Sequence, residues 1–306
     1  MEKAKTREIS IRGERYRLWV GYQSQVELRM EFNRMTNEFW GFDFERYYQS
    51  GFWDENCIIY SLFDGDRIVS HTTLSILESK VKGDTLQIGQ LGTVMTDPAY
   101  QRRGLARFLM EEIQRDYCSE LQGFFLFAND SVLDFYPKFG FAAVQEYQAS
   151  RTIGHECSAL EVKRVDLDDI LQRELFAYYV KNSTPHPFFD IRSFGLTFFY
   201  CYVYPDLGFK TSVYYIEALE AMVVAQIEDK VLTLVEVFQL ADRDIEEIIQ
   251  AVAPKEVDTV VFGYTPSSST MRYTVHKEED LTLFVSADLK ALFEENRLMI
   301  PLLAHT

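Results

Sequence analysis

Four cysteines, five histidines and eight prolines among 306 residues leave little material for disulfide or metal chemistry. Cys57, Cys118, Cys157 and Cys201 lie far apart and form no CxxC pair, which excludes a zinc knuckle or dithiol redox motif and reads as reduced core thiols. His71, His155, His186, His276 and His305 are equally dispersed, and without an HExxH pattern we expect no protein metal site. Positive charge is also scarce: 31 Lys and Arg against 47 Asp and Glu give a formal net charge of -16. Nucleic-acid backbones and anionic membranes bind basic patches, so neither is an expected partner. No run approaches the roughly 18 apolar residues of a membrane helix. The opening MEKAKTREIS is polar and leads into no apolar signal core, so the expected compartment is the cytoplasm.

Apolar and aromatic residues are abundant. Hydrophobic residues make up 47% of the chain, with 24 Phe and 18 Tyr, ample to offset ordering entropy. A usual domain holds roughly 100 to 200 residues, so a chain of this length suggests two. After a strand around 15–21, Gln23 to Ser50 suits one or two short helices. NCIIYSLFDGDRIVSHTTLSIL reads as two strands around an Asp64-Gly65 turn, and GDTLQIGQLGTVMT as a third. From Leu105 the period becomes helical, with Leu105, Leu109, Ile113 and Tyr117 on one face. GFFLFAND is a buried strand, SVLDFYPKF a short helix or turn, and GFAAVQEY a last strand.

Hydrophobic density falls around Gly154 to Ala159, and we expect domains at 1–153 and 154–306. The second half repeats the order of the first. A helix in DLDDILQRELFAYYVKNS is followed by three strands in FKTSVYYIEALEAMVVAQIEDKVLTLVEVF, a helix in DRDIEEIIQAVAP and a strand in DTVVFGY. This suggests a divergent duplication. TPHPFF and SSST read as ordinary loops.

Against the acidic background, QRRGLA stands out between a strand and a helix. Gly104 permits close approach to a ligand, and the free N–H groups of the first helical turn face whatever sits there. Arg102 and Arg103 add charge-assisted bonds of about 1.5 to 3 kcal/mol each, against about 0.3 to 1 for the helix terminus. An anion fits this site.

The segment TVMTDPAYQRRGLARFLM resembles the acetyl-CoA-binding motif of the GCN5-related N-acetyltransferase (GNAT) superfamily, with Gln101, Gly104 and Ala106 at the motif positions. NDSVLDFYPKFGF resembles the second family motif through Asn129, Tyr136, Gly140 and Phe141. Ala106 stands where many relatives carry Gly. The match covers roughly residues 10–148, and the tandem arrangement is similar to the enhanced-intracellular-survival group of bacterial acetyltransferases. The resemblance implies a mixed α/β (α+β) fold, with a central, mostly antiparallel sheet flanked by helices, followed by a degenerate GNAT-like second domain.

The implied activity is an acetyl-CoA-dependent N-acetyltransferase that moves the acetyl group to a primary amine, a small molecule or peptide, by direct attack in a ternary complex. Acetyl-CoA is the cosubstrate and no metal is expected. By the resemblance, Val94, Met95 and Thr96 offer backbone groups to the pantetheine arm and thioester. Gln101, Arg102, Arg103, Gly104, Leu105 and Ala106 hold the pyrophosphate, Asn129 bonds the pantetheine, and Tyr136 is the general acid. The strand Leu86 to Thr96 carries no carboxylate to act as base, leaving water, His71 or Glu78.

In the second domain Asp242, Asp244, Glu246 and Glu247 replace the glycine loop and would repel a pyrophosphate. It is therefore expected to shape the acceptor pocket or a homo-oligomer interface. Phe39, Trp40, Phe42, Phe44, Tyr47, Tyr48 and Trp53 are expected to border the acceptor side. The rival reading is a CoA-binding sensor or scaffold without turnover.

Overall fold

The computed structural model describes residues 4–154, 158–204, 206, 208–241, 243–267 and 270–305; His155, Cys157, Asp242 and the Ser268 and Ser269 of SSST lie outside them. The polar opening is itself a strand. β1 (Lys5–Ile11) and β2 (Glu14–Val20) form an antiparallel hairpin around Arg12 and Gly13, which turn at φ of 53° and 88°. β1 occupies a sheet edge, where charged side chains are favoured, and only Ile9 and Ile11 pack on the core, so no long apolar alternation announces it.

α1 (Val26–Trp40) ends at Gly41, whose φ of 77° lets its N–H close on Asn37. α2 (Glu45–Gln49) follows, then an antiparallel meander of β3 (Cys57–Asp64), β4 (Arg67–Val81) and β5 (Asp84–Thr96). α3 (Leu105–Tyr117) crosses over to β6 (Phe124–Ala128), which runs parallel to β5. The helical spacing does its expected work: Leu105, Leu109 and Ile113, with Met110, bury against Leu62, Leu74, Leu91 and Leu126 on one face of the sheet. The opposite face carries Phe32, Met35, Tyr47 and Trp53 from the α1–α2 region.

The chain continues through β7 (Phe141–Ala143), β8 (Glu146–Thr152), β9 (Lys163–Arg164), α4 (Ile170–Asn182), β10 (Phe189–Arg192) and α5 (Phe194–Phe198). It ends with β11 (Val213–Ile216), β12 (Ala221–Glu228), β13 (Val231–Gln239), α6 (Ile245–Val252), β14 (Thr259–Phe262), β15 (Arg272–His276), β16 (Thr282–Ser286) and α7 (Ala287–Glu295). One sheet runs β1-β2-β3-β4-β5-β6-β16-β7 with β10 added beside β4; the other runs β15-β8-β14-β13-β12-β11-β9. β11, β12 and β13, the α6 crossover and the parallel β14 repeat the plan of β3, β4, β5, α3 and β6. A register break even recurs in the central hairpin, at Val224/Ala225 as at His71/Thr73.

The sheets do not divide at residue 153, because each borrows strands across it. β8 lies before that position yet pairs with β14 and β15, while β10 and β16 lie after it and complete the first sheet. β16 fills the place between β6 and β7, whose facing backbone groups would otherwise be unpaired. Its two faces are both covered: Phe284 enters the α3-side core, and Leu283 and Val285 pack with Leu289, Phe293 and Ile300. A low hydrophobic density marks a linker, but it cannot reveal which sheet a flanking strand joins.

Phe284→Ala should therefore cost about 3–5 kcal/mol, the usual range for a large buried aromatic, and thermal unfolding should remain one transition displaced as a whole. Two separated transitions, with one unmoved, would mean that the exchanged strands do not couple the halves.

Candidate functional site

The chemistry-bearing segments meet where β5 parts from β6. The two strands pair only at Gly89–Phe124 and Gln90–Phe125, so the β6-facing edge of Leu91 to Thr96 is left without a strand partner. On the other edge β5 bulges against β4. His71 faces Met95 and Thr73 faces Gly92, which puts Thr93 and Val94 together opposite Thr72. Thr93 sits at a φ of 47°. Met95 is buried, while Val94 and Thr96 are partly exposed.

Beyond the strand, Asp97 caps a short turn by accepting from the Ala99 N–H at 2.9 Å, and Tyr100 donates to Asp64 at 2.7 Å. Gln101, Arg102 and Arg103 are exposed, Arg102 has a φ of 62°, and Gly104 caps α3 at 87°. Gly104 supplies no capping side chain and the first turn holds no acid, so the amides of Leu105, Ala106 and Arg107 keep their anion-facing character. Leu105 itself is buried as the first core contact of α3, and Ala106 is half-buried.

The arginines divide their work. Arg103 lies over the Tyr100 ring at 4.5 Å and donates to the Ala99 carbonyl at 2.8 Å, bracing the loop. Arg102 forms no ion pair among the described residues. A third guanidinium that sequence reasoning missed, Arg12, donates to the Arg102 carbonyl at 2.9 Å, and a Cβ at Gly104 would come within 3.6 Å of its Nε. Its signal was the Arg12-Gly13 turn of a hairpin hidden by polar composition.

Asn129 and Tyr136 stand on the far side of the gap. The Asn129 carboxamide is already engaged, donating to the Asp280 carboxylate at 3.0 Å and its carbonyl at 3.3 Å, while Asp130 N donates to the same carboxylate at 2.6 Å. That leaves Asn129 its oxygen for a ligand rather than its NH2. Tyr136 opens a 3-10 turn, 5% exposed among Phe135, Phe141 and Phe284, and burial pushes its phenol up to about 12. Its hydroxyl has no protein partner among the described residues. It therefore stays protonated at neutral pH.

Of the two side chains weighed as base, Glu78 is exposed opposite Arg192 of β10. His71 is fully buried, and burial pushes its imidazole down to about 3. The aromatics also separate: Tyr47 and Trp53 stack in the core at 5.6 Å, whereas Phe39 and Trp40 are 40% and 42% exposed. Phe199 and Tyr204 of the second half complete this wall, with Tyr204 donating to the Asp43 carbonyl.

The equivalent place in the second half is built differently. Asp244 caps α6 by accepting from the Glu246 N–H at 3.0 Å, and Glu246 and Glu247 fill the first turn. β13 leaves β14 after Leu234, and the final segment enters there: Leu302 N donates to the Gly263 carbonyl at 2.8 Å and Thr265 bonds Met299. TPHPFF is a loop that leads into β10. Its His186 stacks on Tyr264 at 4.1 Å and contacts Glu236 at 2.7 Å, beside Asp190, which pairs with Arg192. His186, Asp190 and Glu236 are the one group of potential metal ligands among the described residues, each carboxylate already facing a basic group.

The same final segment reaches the first sheet, where Gln90 donates to the Ala304 carbonyl at 2.7 Å and His305 lies on Phe127 at 4.3 Å. His305 Nδ1 meets Glu278 at 3.0 Å, and Nε2 meets the Ile300 carbonyl at 2.9 Å and Glu146 at 3.5 Å. A separate cavity of about 640 Å3, lined by Arg7, Tyr60, Glu112, Asp116 and Tyr117, lies toward the C-terminal end of α3. That end of a helix repels anions.

Residues 30–144 match the family model described as an acetyltransferase (GNAT) domain. No curated protein matches the chain. Among solved structures, a conserved protein of unknown function from Enterococcus faecalis V583, titled a probable N-acyltransferase, is 15% identical with a TM-score of 0.52, covering 93% of this chain and 72% of that one. A GCN5-related N-acetyltransferase from Anabaena variabilis ATCC 29413 is 12% identical at 0.52, covering 87% and 72%. Eis1 from Mycobacterium abscessus is 13% identical at 0.52, covering 83% and 71%. These likenesses establish the fold across both halves. No helix among the described residues is long and apolar enough to cross a membrane.

The His305 cluster generates a pH prediction. Burial alone would lower the imidazole, but hydrogen bonds to Glu146 and Glu278 outweigh it and push the group from 6.5 up to about 9. A raised folded pKa means stabilisation that is complete below the unfolded value and lost as pH rises through the folded one. The melting temperature should therefore fall between about pH 6.5 and 9, and Glu278→Gln should flatten that decline. An unchanged slope in the variant would remove His305 from the account.

Proposed function

From the match of residues 30–144 to an acetyltransferase (GNAT) domain, we propose that the chain moves the acetyl group of acetyl-CoA to a primary amine by direct attack. One observation carries the reading: a helix start with no capping side chain, flanked by three arginines, lies next to a strand edge without a partner. Acetyl-CoA has the matching parts, a pyrophosphate and an amide-bearing arm. The pyrophosphate would sit on the amides of Gly104, Leu105 and Ala106, with Gln101, Arg102 and Arg103 around it and Arg12 behind. The pantetheine would run along the free edge of Val94, Met95 and Thr96, supplying the hydrogen bonds that β6 does not, and the Asn129 oxygen would accept from one of its amides.

The chemical step then needs a donor for the carbonyl oxygen and a proton for the leaving thiolate. A backbone N–H of the bulged strand meets the oxyanion as the amine nitrogen bonds to the carbonyl carbon. The carbon–sulfur bond breaks, and Tyr136, protonated by virtue of its burial, donates to the CoA thiolate. The amine loses its proton to water, since His71 is neutral and sealed within the core. The acceptor would approach from the α1–α2 side, walled by Phe199 and Tyr204 of the second half. That half binds no CoA in this reading, its helix start being capped by Asp244 and its strand gap filled by residues 299–304. It shapes the acceptor side.

Calorimetry with acetyl-CoA separates charge from backbone effects at Gly104. Asn tolerates a positive φ, so Gly104→Asn should retain most of the affinity. Gly104→Asp, which places a carboxylate against the pyrophosphate and draws off Arg12, should lose at least 100-fold. Equal loss in both variants would refute the charge argument. Tyr136→Phe should bind acetyl-CoA like wild type yet turn over roughly 100- to 10,000-fold more slowly with an amine acceptor. Tight binding without turnover on any amine would favour a CoA sensor instead.

A further inference from the structure

An unbroken file of buried polar groups runs from the interior to the bulge in β5, and the transfer step described above uses none of it. The Tyr22 hydroxyl meets Ser61 Oγ at 2.6 Å, Ser61 Oγ meets His71 Nδ1 at 2.7 Å, His71 Nε2 meets Thr73 Oγ1 at 2.9 Å, and Thr73 Oγ1 bonds Thr93 Oγ1. Tyr22, Ser61 and His71 are fully buried, and Phe32 covers the imidazole at 4.7 Å. Burying so many polar groups is costly unless each is hydrogen-bonded. Here each is, and the file ends on the residue that most needs holding.

Thr93 has a φ of 47°. For a β-branched side chain that is an outlier, unlike the same angle at a glycine. Strained backbone persists only where its surroundings over-determine it. The bulge it produces sets two residues against Thr72 and turns the amides that follow.

Resting on the acetyl-CoA reading for its consequence, we infer that His71 is a positioning residue: through Thr73 it holds Thr93 in the left-handed conformation that aims the Val94 amide at the acyl thioester. With Tyr22 as the first donor, the file would run from Tyr22 to Ser61, Ser61 to His71 Nδ1, His71 Nε2–H to Thr73, and Thr73 to Thr93; the reverse order uses the other tautomer. The neutral imidazole is the one form that can both accept on one nitrogen and donate on the other, so His71 works here as a coupler of hydroxyls.

Two variants break the file at different places. His71→Leu removes both imidazole bonds, and Thr73→Val cuts the link to Thr93 while leaving His71 packed, which guards against a folding failure in the first. Crystal structures of both should show Thr93 moved to a negative φ and the β4–β5 register repaired. Acetyl-CoA affinity should fall about tenfold in each. Adding Thr93→Gly, which adopts a positive φ unaided, should restore affinity to within about threefold of wild type. A folded Thr73→Val protein that keeps Thr93 near its present φ would overturn the proposal, as would failure of Thr93→Gly to rescue. Wild-type protein that binds no acetyl-CoA would instead sink the cofactor reading, and the Thr93 angle in the variants would still decide the role of His71.

Discussion

The architecture hangs on the need of backbone N–H and C=O groups for partners at the point where β5 leaves β6. A parallel pair that stops after Gln90 leaves a row of donors and acceptors inside the fold, and such a row must be met by something. The bulge at Thr93 and Val94 lies just beyond the parting, and an extra residue in one strand increases its local twist and bends it away from its neighbour. What enters the opening decides what each half of the protein does. In the first half the opening leads to a glycine-capped helix and a ring of arginines, so it is suited to an anionic ligand with an amide arm.

The second half is the same plan with the opposite outcome. β13 and β14 pair and part in the same manner, and the central hairpin again shifts register. There, however, the chain's own residues 299–304 lie in the gap, hydrogen-bonded to Gly263 and Thr265, and an aspartate caps the crossover helix. One copy of the plan is thus open to a ligand and the other is satisfied from within. The tail that closes the second opening continues to Gln90 and Phe127, and the strands β8, β10 and β16 cross between the sheets. The two halves are therefore packed together through shared strands and the final segment.

Much of this was legible in the residues. The period change at Leu105, the Asp64-Gly65 turn and QRRGLA between strand and helix placed the β3–β4 turn and the start of α3 correctly, because they are local patterns governed by local geometry. The duplicated order of elements was legible for the same reason. Non-local choices were hidden. Nothing in GFAAVQEY says that Glu146 begins a strand of the other sheet, and nothing in TLFVS says that it completes the first one. Arg12 went unnoticed because an edge strand with a charged outer face carries little alternation. The file through His71 was invisible too, since Tyr22, Ser61, His71, Thr73 and Thr93 come from four separate stretches. A histidine in a strand is usually a satisfied core residue. Here it is satisfied by a file that ends at the bulge.

A crystal structure of the full chain grown with CoA tests the central claim most directly, by asking which opening a ligand enters. The account requires one CoA per chain, with its pyrophosphate on the amides of 104–106 and its pantetheine hydrogen-bonded to the free edge of 94–96, while residues 299–304 remain in the second opening. CoA seated between β13 and β14 with the tail displaced, or bound anywhere that leaves the β5 edge unpaired, would contradict it.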